Sequence, residues 1–211
     1  MSTLTEVLNK YNTDKKESFH NYGRFYERYF RDFRDKPINY LEIGVFQGES
    51  IKAMREYFYN CKTIVGIDIM PHTKRFENKE NKIFVEIGSQ NDIDFLKYVN
   101  NKYESFDIIL DDGSHVFEDV WTSFITLFPL LNNKGMYVIE DVICFRDKLE
   151  PFYNFTKYLS KWRADVGGDN CVDPFKIPLK TSDKFEYMIG DIVFTNSAVI
   201  IYKDVKEHWI M

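Results

Sequence analysis

The sequence has few cysteines, no long apolar stretch and no excess of positive charge, and each shortage excludes a class of protein. Its three cysteines, Cys61, Cys144 and Cys171, lie far apart in 211 residues. We therefore expect neither a disulfide framework nor a zinc site, and we expect a reducing compartment. No segment approaches the ~20 consecutive apolar residues of a membrane-spanning helix. The net charge of −5 argues against a nucleic-acid-binding surface.

The first residues also lack the basic start and apolar run of a secretory signal. Together with the few cysteines, this predicts a cytoplasmic protein. The length predicts a single domain over residues 1–211, because two well-buried domains would need a longer chain.

Strand-like and helix-like segments alternate along the chain, which is typical of an α/β sheet. The predicted strands are residues 38–45, 63–69, 82–87, 106–110 and 136–139, and the predicted helices are residues 48–59, 91–102 and 117–131. Near the end, residues 191–194 and 198–202 flank the polar turn 195–197, which predicts a hairpin.

Two segments fall outside this alternation. Residues 1–36 form a predicted helical leader, and residues 145–184, which are irregular and hold three prolines, form a predicted cap-like insertion over the rim of the sheet. The leader contains one aromatic stripe at spacings of three and four, which predicts the packing face of an amphipathic helix. Its members are Phe19, Tyr22, Tyr26, Tyr29 and Phe33.

The most informative residues are polar groups that follow two predicted strands. Asp111, Asp112 and His115 follow the fourth strand, and Glu140 and Asp141 follow the fifth. Carboxylate oxygens suit a hard divalent cation such as Mg²⁺, and a nearby histidine suits proton removal. Either group alone is also typical of a helix cap or a solvated turn. The two groups at adjacent strand ends favour a functional site.

A glycine turn follows the first predicted strand, where ligands approach the strand ends of doubly wound sheets. Glu42, Gly44 and Gly48 give it the pattern Glu-x-Gly-x-x-x-Gly. Gly44 permits a sharp turn, and Gly48 frees space where the next helix begins. The pattern differs from the Gly-x-Gly-x-x-Gly of nicotinamide sites and from the phosphate loop.

The next two predicted strands end in polar residues suited to a nucleoside. Asp68 ends the second strand, where an acidic side chain can accept the hydroxyls of a ribose. Ser89 and Gln90 follow the third strand and suit the edge of an adenine ring.

With these motifs, residues 40–142 and the terminal hairpin resemble the class I S-adenosylmethionine-dependent methyltransferases. More narrowly, the chain resembles the metal-dependent sugar O-methyltransferases that act on deoxysugars of macrolide antibiotics, and related enzymes of bacterial surface polysaccharide gene clusters. The narrower resemblance rests on residues 111–115, 139–141 and 11–15, with His20, Tyr22 and Tyr26. Asn12 stands where the family usually has glycine, a mild departure because asparagine also tolerates a left-handed backbone.

The resemblance implies a doubly wound, mostly parallel, seven-stranded Rossmann-like α/β sheet with a C-terminal antiparallel hairpin. It implies S-adenosylmethionine and Mg²⁺ or a similar cation as cofactors, a small-molecule sugar as acceptor, and a homo-oligomer as a family-level expectation. Asp112, Glu140 and Asp141 match the family's metal ligands, and His115 matches its general base. The residues that would hold the methyl donor are Thr13, Lys15, Glu42, Gly44, Gly48, Ser50, Asp68, Ser89, Gln90 and Asp111.

Two other classes of protein stay open at this point. A methyltransferase of the same fold that acts on a phosphate-type or amine acceptor without metal would be insensitive to EDTA. A non-catalytic scaffold would have no cofactor affinity, and the intact glycine turn and acidic residues speak against it. A nicotinamide-dependent oxidoreductase is disfavoured by the glycine pattern.

Overall fold

The computed structural model describes residues 2–154 and 188–205. Its helices are α1 (Leu4–Leu8), α2 (Tyr22–Phe30), α3 (Glu49–Tyr57), α4 (Ile93–Lys102) and α5 (Phe117–Leu127). Its strands are β1 (Asn39–Ile43), β2 (Thr63–Asp68), β3 (Ile83–Ile87), β4 (Ile108–Asp111), β5 (Met136–Ile139), β6 (Ile189–Phe194) and β7 (Val199–Lys203). Short 3₁₀ segments cover Arg31–Phe33, Pro71–Phe76, Phe128–Leu130 and Val142–Lys148.

The strands form one seven-stranded sheet in the order β3-β2-β1-β4-β5-β7-β6. The first five pair in parallel, and β7 runs antiparallel to both β5 and β6. The order reverses between β1 and β4, so the carboxyl ends of these strands border the switch point where doubly wound sheets bind ligands. The predicted Rossmann-like α/β fold and its C-terminal hairpin are confirmed.

The core lies on both faces of the sheet. Strands β1, β4 and β5 are buried along their whole length, which explains why their apolar residues do not alternate with exposed polar ones. The polar residues within these strands, Asn39, Glu42 and Asp111, are buried as well. Helices α1, α2 and α3 pack on one face, through residues such as Tyr26 and Met54. Helices α4 and α5 pack on the other, through residues such as Leu96 and Phe124.

The predicted aromatic stripe is wrong at its first member. Helix α2 begins only after Asn21, whose left-handed φ of 54° turns the chain, and Phe19 therefore lies ahead of the helix and is 71% exposed. Tyr22 and Tyr26 are buried as predicted, and Phe30 joins them in the core.

Helix α5 also ends earlier than predicted. It stops at Leu127 and continues as a 3₁₀ segment, because Pro129 has no backbone N–H to extend the helix. Of the predicted insertion, residues 155–184 lie outside the described residues, as does Cys171. Within the described ranges, no helix is long and apolar enough to cross a bilayer.

Candidate active site

A cavity of about 800 Å³ opens at the carboxyl ends of β1 to β4. Its volume falls within the range of small-molecule and cofactor sites. The predicted site residues that line it are Thr13, Lys15, Glu42, Gly44, Ser50, Asp68, Ser89, Gln90, Asp112 and His115. Among the described residues, four other predicted ones do not line it: Gly48, Asp111, Glu140 and Asp141.

The glycine turn between β1 and α3 takes the conformation that its sequence predicts. Gly44 has a φ of +96°, and a Cβ there would overlap the carbonyl oxygen of Asp112. Gly48 has a φ of +71°, and a Cβ there would strike the ring of Phe76. Only glycine fits either position without strain. Gly44 therefore lets the turn pack closely against the loop after β4, and Gly48 lets it pack against Phe76 at the end of the 3₁₀ segment after β2.

Asp68 holds this turn through its carboxylate. Its Oδ2 accepts hydrogen bonds from the backbone N–H groups of Val45, at 2.9 Å, and Phe46, at 3.0 Å. Its Oδ1 accepts from the N–H of Met70 at 2.8 Å. A carboxylate has about four acceptor positions, so Asp68 supports the turn and retains capacity for a ligand hydroxyl.

Glu42 presents an unpaired oxygen at the same end of the sheet. Its Oε2 accepts a hydrogen bond from the Tyr40 hydroxyl at 2.9 Å. Its Oε1 and the Oγ of Ser50 are buried and make no hydrogen bond of standard geometry within the described part of the chain. Burial raises the pKa of Glu42 to about 7, although the Ser50 hydroxyl is close enough to lower it. Unpaired buried polar atoms are costly, so both oxygens fit a site that a polar ligand completes.

Asp111 and Gln90 use their polar atoms inside the protein. Asp111 accepts hydrogen bonds from Gln90 Nε2 at 3.1 Å, Ser123 Oγ at 2.6 Å and Tyr137 Oη at 2.9 Å. Burial raises the pKa of Asp111 to about 6. Gln90 Oε1 accepts the N–H of Ser114 at 2.7 Å. The pair therefore fixes the loop after β4, and direct contact of either residue with a cofactor stays a prediction.

Asp112, His115 and Asp141 converge at the ends of β4 and β5. Each offers a ligand atom, and these atoms lie within 4.8 Å of one another. His115 Nε2 is 3.8 Å from both Asp112 Oδ1 and Asp141 Oδ2. His115 and Asp141 have φ values of 54° and 51°. Such left-handed backbone is uncommon outside glycine and is often found at functional sites.

Glu140 lies behind this cluster and is 1% exposed. Its Oε2 is 2.8 Å from Lys15 Nζ, and its Oε1 accepts a hydrogen bond from the Tyr26 hydroxyl. Lys15 Nζ also donates to Asp112 Oδ2. Burial alone lowers the pKa of Lys15, but Asp112 and Glu140 raise it well above its usual value, so the ammonium stays charged. Lys15 thus contacts two predicted metal ligands, and a role for Glu140 as a ligand stays a prediction.

Two tyrosines of α2 belong to the site in a way that the packing interpretation missed. The Tyr22 hydroxyl donates to Asp141 Oδ1 at 2.7 Å, and the Tyr26 hydroxyl donates to Glu140. A buried tyrosine hydroxyl needs a hydrogen-bond partner. The choice of tyrosine over phenylalanine at these positions is the sequence signal for such partners.

The strand order, the glycine turn after β1 and the acidic end of β2 define a class I methyltransferase fold. Residues 41–142, just under half of the chain, match a family model described as a methyltransferase domain.

Two curated relatives illustrate the similarity. Demethylmacrocin O-methyltransferase of Streptomyces fradiae is 37% identical over 146 residues, which are 66% of this chain and 36% of the relative. Mycinamicin VI 2''-O-methyltransferase of Micromonospora griseorubida is 38% identical over 146 residues, with the same shares. The chain therefore spans about a third of the length of the curated relatives it matches.

Solved structures agree with the fold. The MycE methyltransferase from the mycinamycin biosynthetic pathway, in complex with Mg and SAH, superposes with a TM-score of 0.82 at 26% identity, covering 98% of this chain and 55% of that one. An O-methyltransferase from Bacillus cereus in complex with SAH has a TM-score of 0.58 at 14% identity, covering 97% of this chain and 91% of that one, and shows the fold alone.

Proposed function

We propose that this protein is an S-adenosylmethionine-dependent, divalent-metal-dependent O-methyltransferase whose acceptor is a sugar hydroxyl. The observation that carries the proposal is the convergence of Asp112, His115 and Asp141 beside a cavity built on the glycine turn. Relatives named for O-methylation of sugar-bearing natural products support it, as does the MycE complex with Mg and SAH. The chain spans about a third of the length of these curated relatives, so we propose the methyltransferase activity and the sugar acceptor only for the part of the relatives that the chain matches.

The cavity fits the polar parts of the methyl donor. The unpaired oxygens of Glu42 and Ser50 would complete their hydrogen bonds with the donor, and the remaining acceptor position of Asp68 suits a ribose hydroxyl. Other cavity-lining residues that would contact the donor are Thr13, Lys15, Gly44, Ser89 and Gln90. Gly48 would act by shaping the turn, and Asp111 by holding Gln90.

The donor set of Asp112, Glu140 and Asp141 fits a hard divalent cation, because carboxylate oxygens are the ligands that Mg²⁺ prefers. When bound, such a cation lowers the pKa of a coordinated hydroxyl and fixes its position. His115 lines the cavity with its side chain 31% exposed, so an acceptor hydroxyl can reach its imidazole. We propose that His115 removes the hydroxyl proton as a general base.

We also propose that residues 1–211 form one domain, since α1 and α2 of the leader share a core cluster with β1. The segments 1–36 and 145–184 would then be its leader and its insertion. A cytoplasmic location, a homo-oligomer and the absence of a nucleic-acid partner are parts of the same proposal, and the net charge of −5 supports the last.

A methyl-transfer assay tests the proposal. Purified protein is incubated with S-adenosylmethionine, Mg²⁺ and a panel of nucleotide-linked and natural-product deoxysugars, with or without EDTA. We expect methyl transfer that EDTA abolishes and that added Mg²⁺ restores. The variant Asp112→Asn should show no transfer. Asp94→Asn is the matched control, because Asp94 is exposed in the first turn of α4. Transfer that survives both EDTA and Asp112→Asn would contradict the proposed metal dependence.

A further inference from the structure

The ammonium of Lys15 lies between two candidate metal-ligating carboxylates. Its Nζ is 2.8 Å from Glu140 Oε2, donates to Asp112 Oδ2, and is 3.9 Å from Asp14 Oδ1. The residue is 1% exposed although it carries a full charge. Lysine is almost never fully buried unless it is paired, so these carboxylates account for its position.

The positive charge of Lys15 offsets the negative charges of the carboxylates that follow β4 and β5. Asp112 and Glu140 follow adjacent strands, and two carboxylates that share a small site repel each other. An ammonium donates up to three hydrogen bonds and can serve both. The backbone of Lys15 contributes two local hydrogen bonds, because its N–H donates to Thr13 Oγ1 and its carbonyl accepts from the N–H of Tyr22.

We propose that Lys15 is a built-in placeholder for the divalent cation, and that the cation binds by displacing the lysine ammonium from Asp112 and Glu140. This inference rests on the proposed metal dependence. A cation such as Mg²⁺ needs its oxygen ligands at about 2.1 Å. Two of the three carboxylates that would supply them, those of Asp112 and Glu140, now hold the Lys15 ammonium through Oδ2 and Oε2. Like charges in one buried site repel, so both cations cannot hold these oxygens together.

Displacement has a consequence for the cavity. Residues 12–16 line it, so a lysine that leaves the carboxylates moves within a segment that also borders the methyl-donor site. Asp141 has no ion pair with Lys15 among the described residues, and it lies in the cluster with His115. In this proposal the divalent cation first binds Asp141, and the Lys15 ammonium then leaves Asp112 and Glu140.

The test measures metal binding without turnover, by calorimetric titration of Mn²⁺ into the whole protein. Removing the competing ammonium with Lys15→Met should tighten Mn²⁺ binding by about tenfold or more, because the cation no longer has to break a buried ion pair. Lys16→Met is the matched control, since Lys16 also lines the cavity but its ammonium donates only to Asn12 Oδ1 in the described structure. It should bind Mn²⁺ within about twofold of wild type.

Two failures are distinguishable. If wild type and Lys16→Met bind Mn²⁺ and Lys15→Met binds it equally or more weakly, the placeholder role is overturned while the proposed metal dependence stands. If none of the three binds Mn²⁺, both fail.

A second measurement uses wild type alone, because Lys15→Met leaves two buried carboxylates facing each other and is at risk of not folding. Hydrogen–deuterium exchange with and without Mn²⁺ should show faster exchange over residues 12–17 when the metal is bound. Unchanged or slower exchange there, with Mn²⁺ bound, would overturn the inference.

Discussion

Burial changes the acid–base behaviour of single carboxylates at this site. Glu42 is fully buried, and its pKa of about 7 lies above the ordinary value of 4.5. The folded state therefore binds the proton more tightly than the unfolded state. The resulting stabilisation is complete below pH 4.5 and is lost as the pH rises through 7.

Glu42→Gln removes this dependence. Between pH 4.5 and 8 the stability of wild type relative to the variant should fall by roughly 3 kcal/mol, at ~1.4 kcal/mol per pKa unit. Urea unfolding at the two pH values measures the difference. Glu80→Gln, at an exposed position, is the control, and its free energy of unfolding should equal that of wild type at both pH values. An equal effect of Glu42→Gln at both pH values would contradict the assigned pKa.

His115 is the second residue whose role can be isolated. As a general base, it should contribute a factor of about 10² to 10⁴ to kcat, so His115→Ala should lower kcat by that factor. The variant should keep its affinity for S-adenosylhomocysteine and for Mn²⁺, both measured by calorimetry. A large loss of Mn²⁺ affinity would instead make His115 a metal ligand, which the 4.8 Å cluster with Asp112 and Asp141 permits.

Among the elements, the turn between β1 and α3 depends on one backbone conformation. Gly44→Ala puts a methyl group against the carbonyl oxygen of Asp112 at a φ that disfavours side chains. We expect the free energy of unfolding to fall by about 3 kcal/mol or more, since strain and overlap add. Gln47→Ala, at an exposed position of the same turn, should change it by less than about 0.5 kcal/mol. Equal effects in chemical denaturation would argue against a tight turn.

Helix α2 is attached to the end of β5 by hydroxyl groups as well as by packing. Tyr26→Phe keeps the ring in the core but leaves Glu140 Oε1 without its donor. The expected cost is about 1–3 kcal/mol in the free energy of unfolding, the cost of an unsatisfied buried acceptor. Tyr29→Phe, on the same helix and only partly buried, is the control. If the two variants were equally stable in urea, the hydroxyl contact would not matter.

For the whole molecule, the proposed function predicts a ligand-dependent gain in stability. S-adenosylhomocysteine at 100 times its Kd should stabilise the folded state by about 2.7 kcal/mol. For a chain of this size that corresponds to a rise in Tm of about 5–10 °C by differential scanning calorimetry. NAD⁺ at the same concentration should give no shift, because the glycine turn lacks the dinucleotide pattern. No shift with either ligand would favour the scaffold alternative.

The elements of the fold were largely predictable because each has a local signal. Buried parallel strands are short apolar runs, and β1, β2, β3 and β5 lie within two residues of their predicted bounds. The errors have physical causes: Pro129 ends the hydrogen-bond pattern of α5, and the left-handed Asn21 delays the start of α2. Periodicity alone detects neither effect.

The sequence by itself determined the strand–turn–strand order, the glycine turn and the acidic groups that end β4 and β5, because these follow from local pattern and from the rule that parallel strands share one rim. Only the tertiary structure decided which groups meet there. Lys15 reaches Asp112 and Glu140 across 97 and 125 residues, and Tyr26 reaches Glu140 across 114. Such pairs depend on how the leader packs against the sheet. Local sequence patterns do not predict contacts between residues so far apart in the chain.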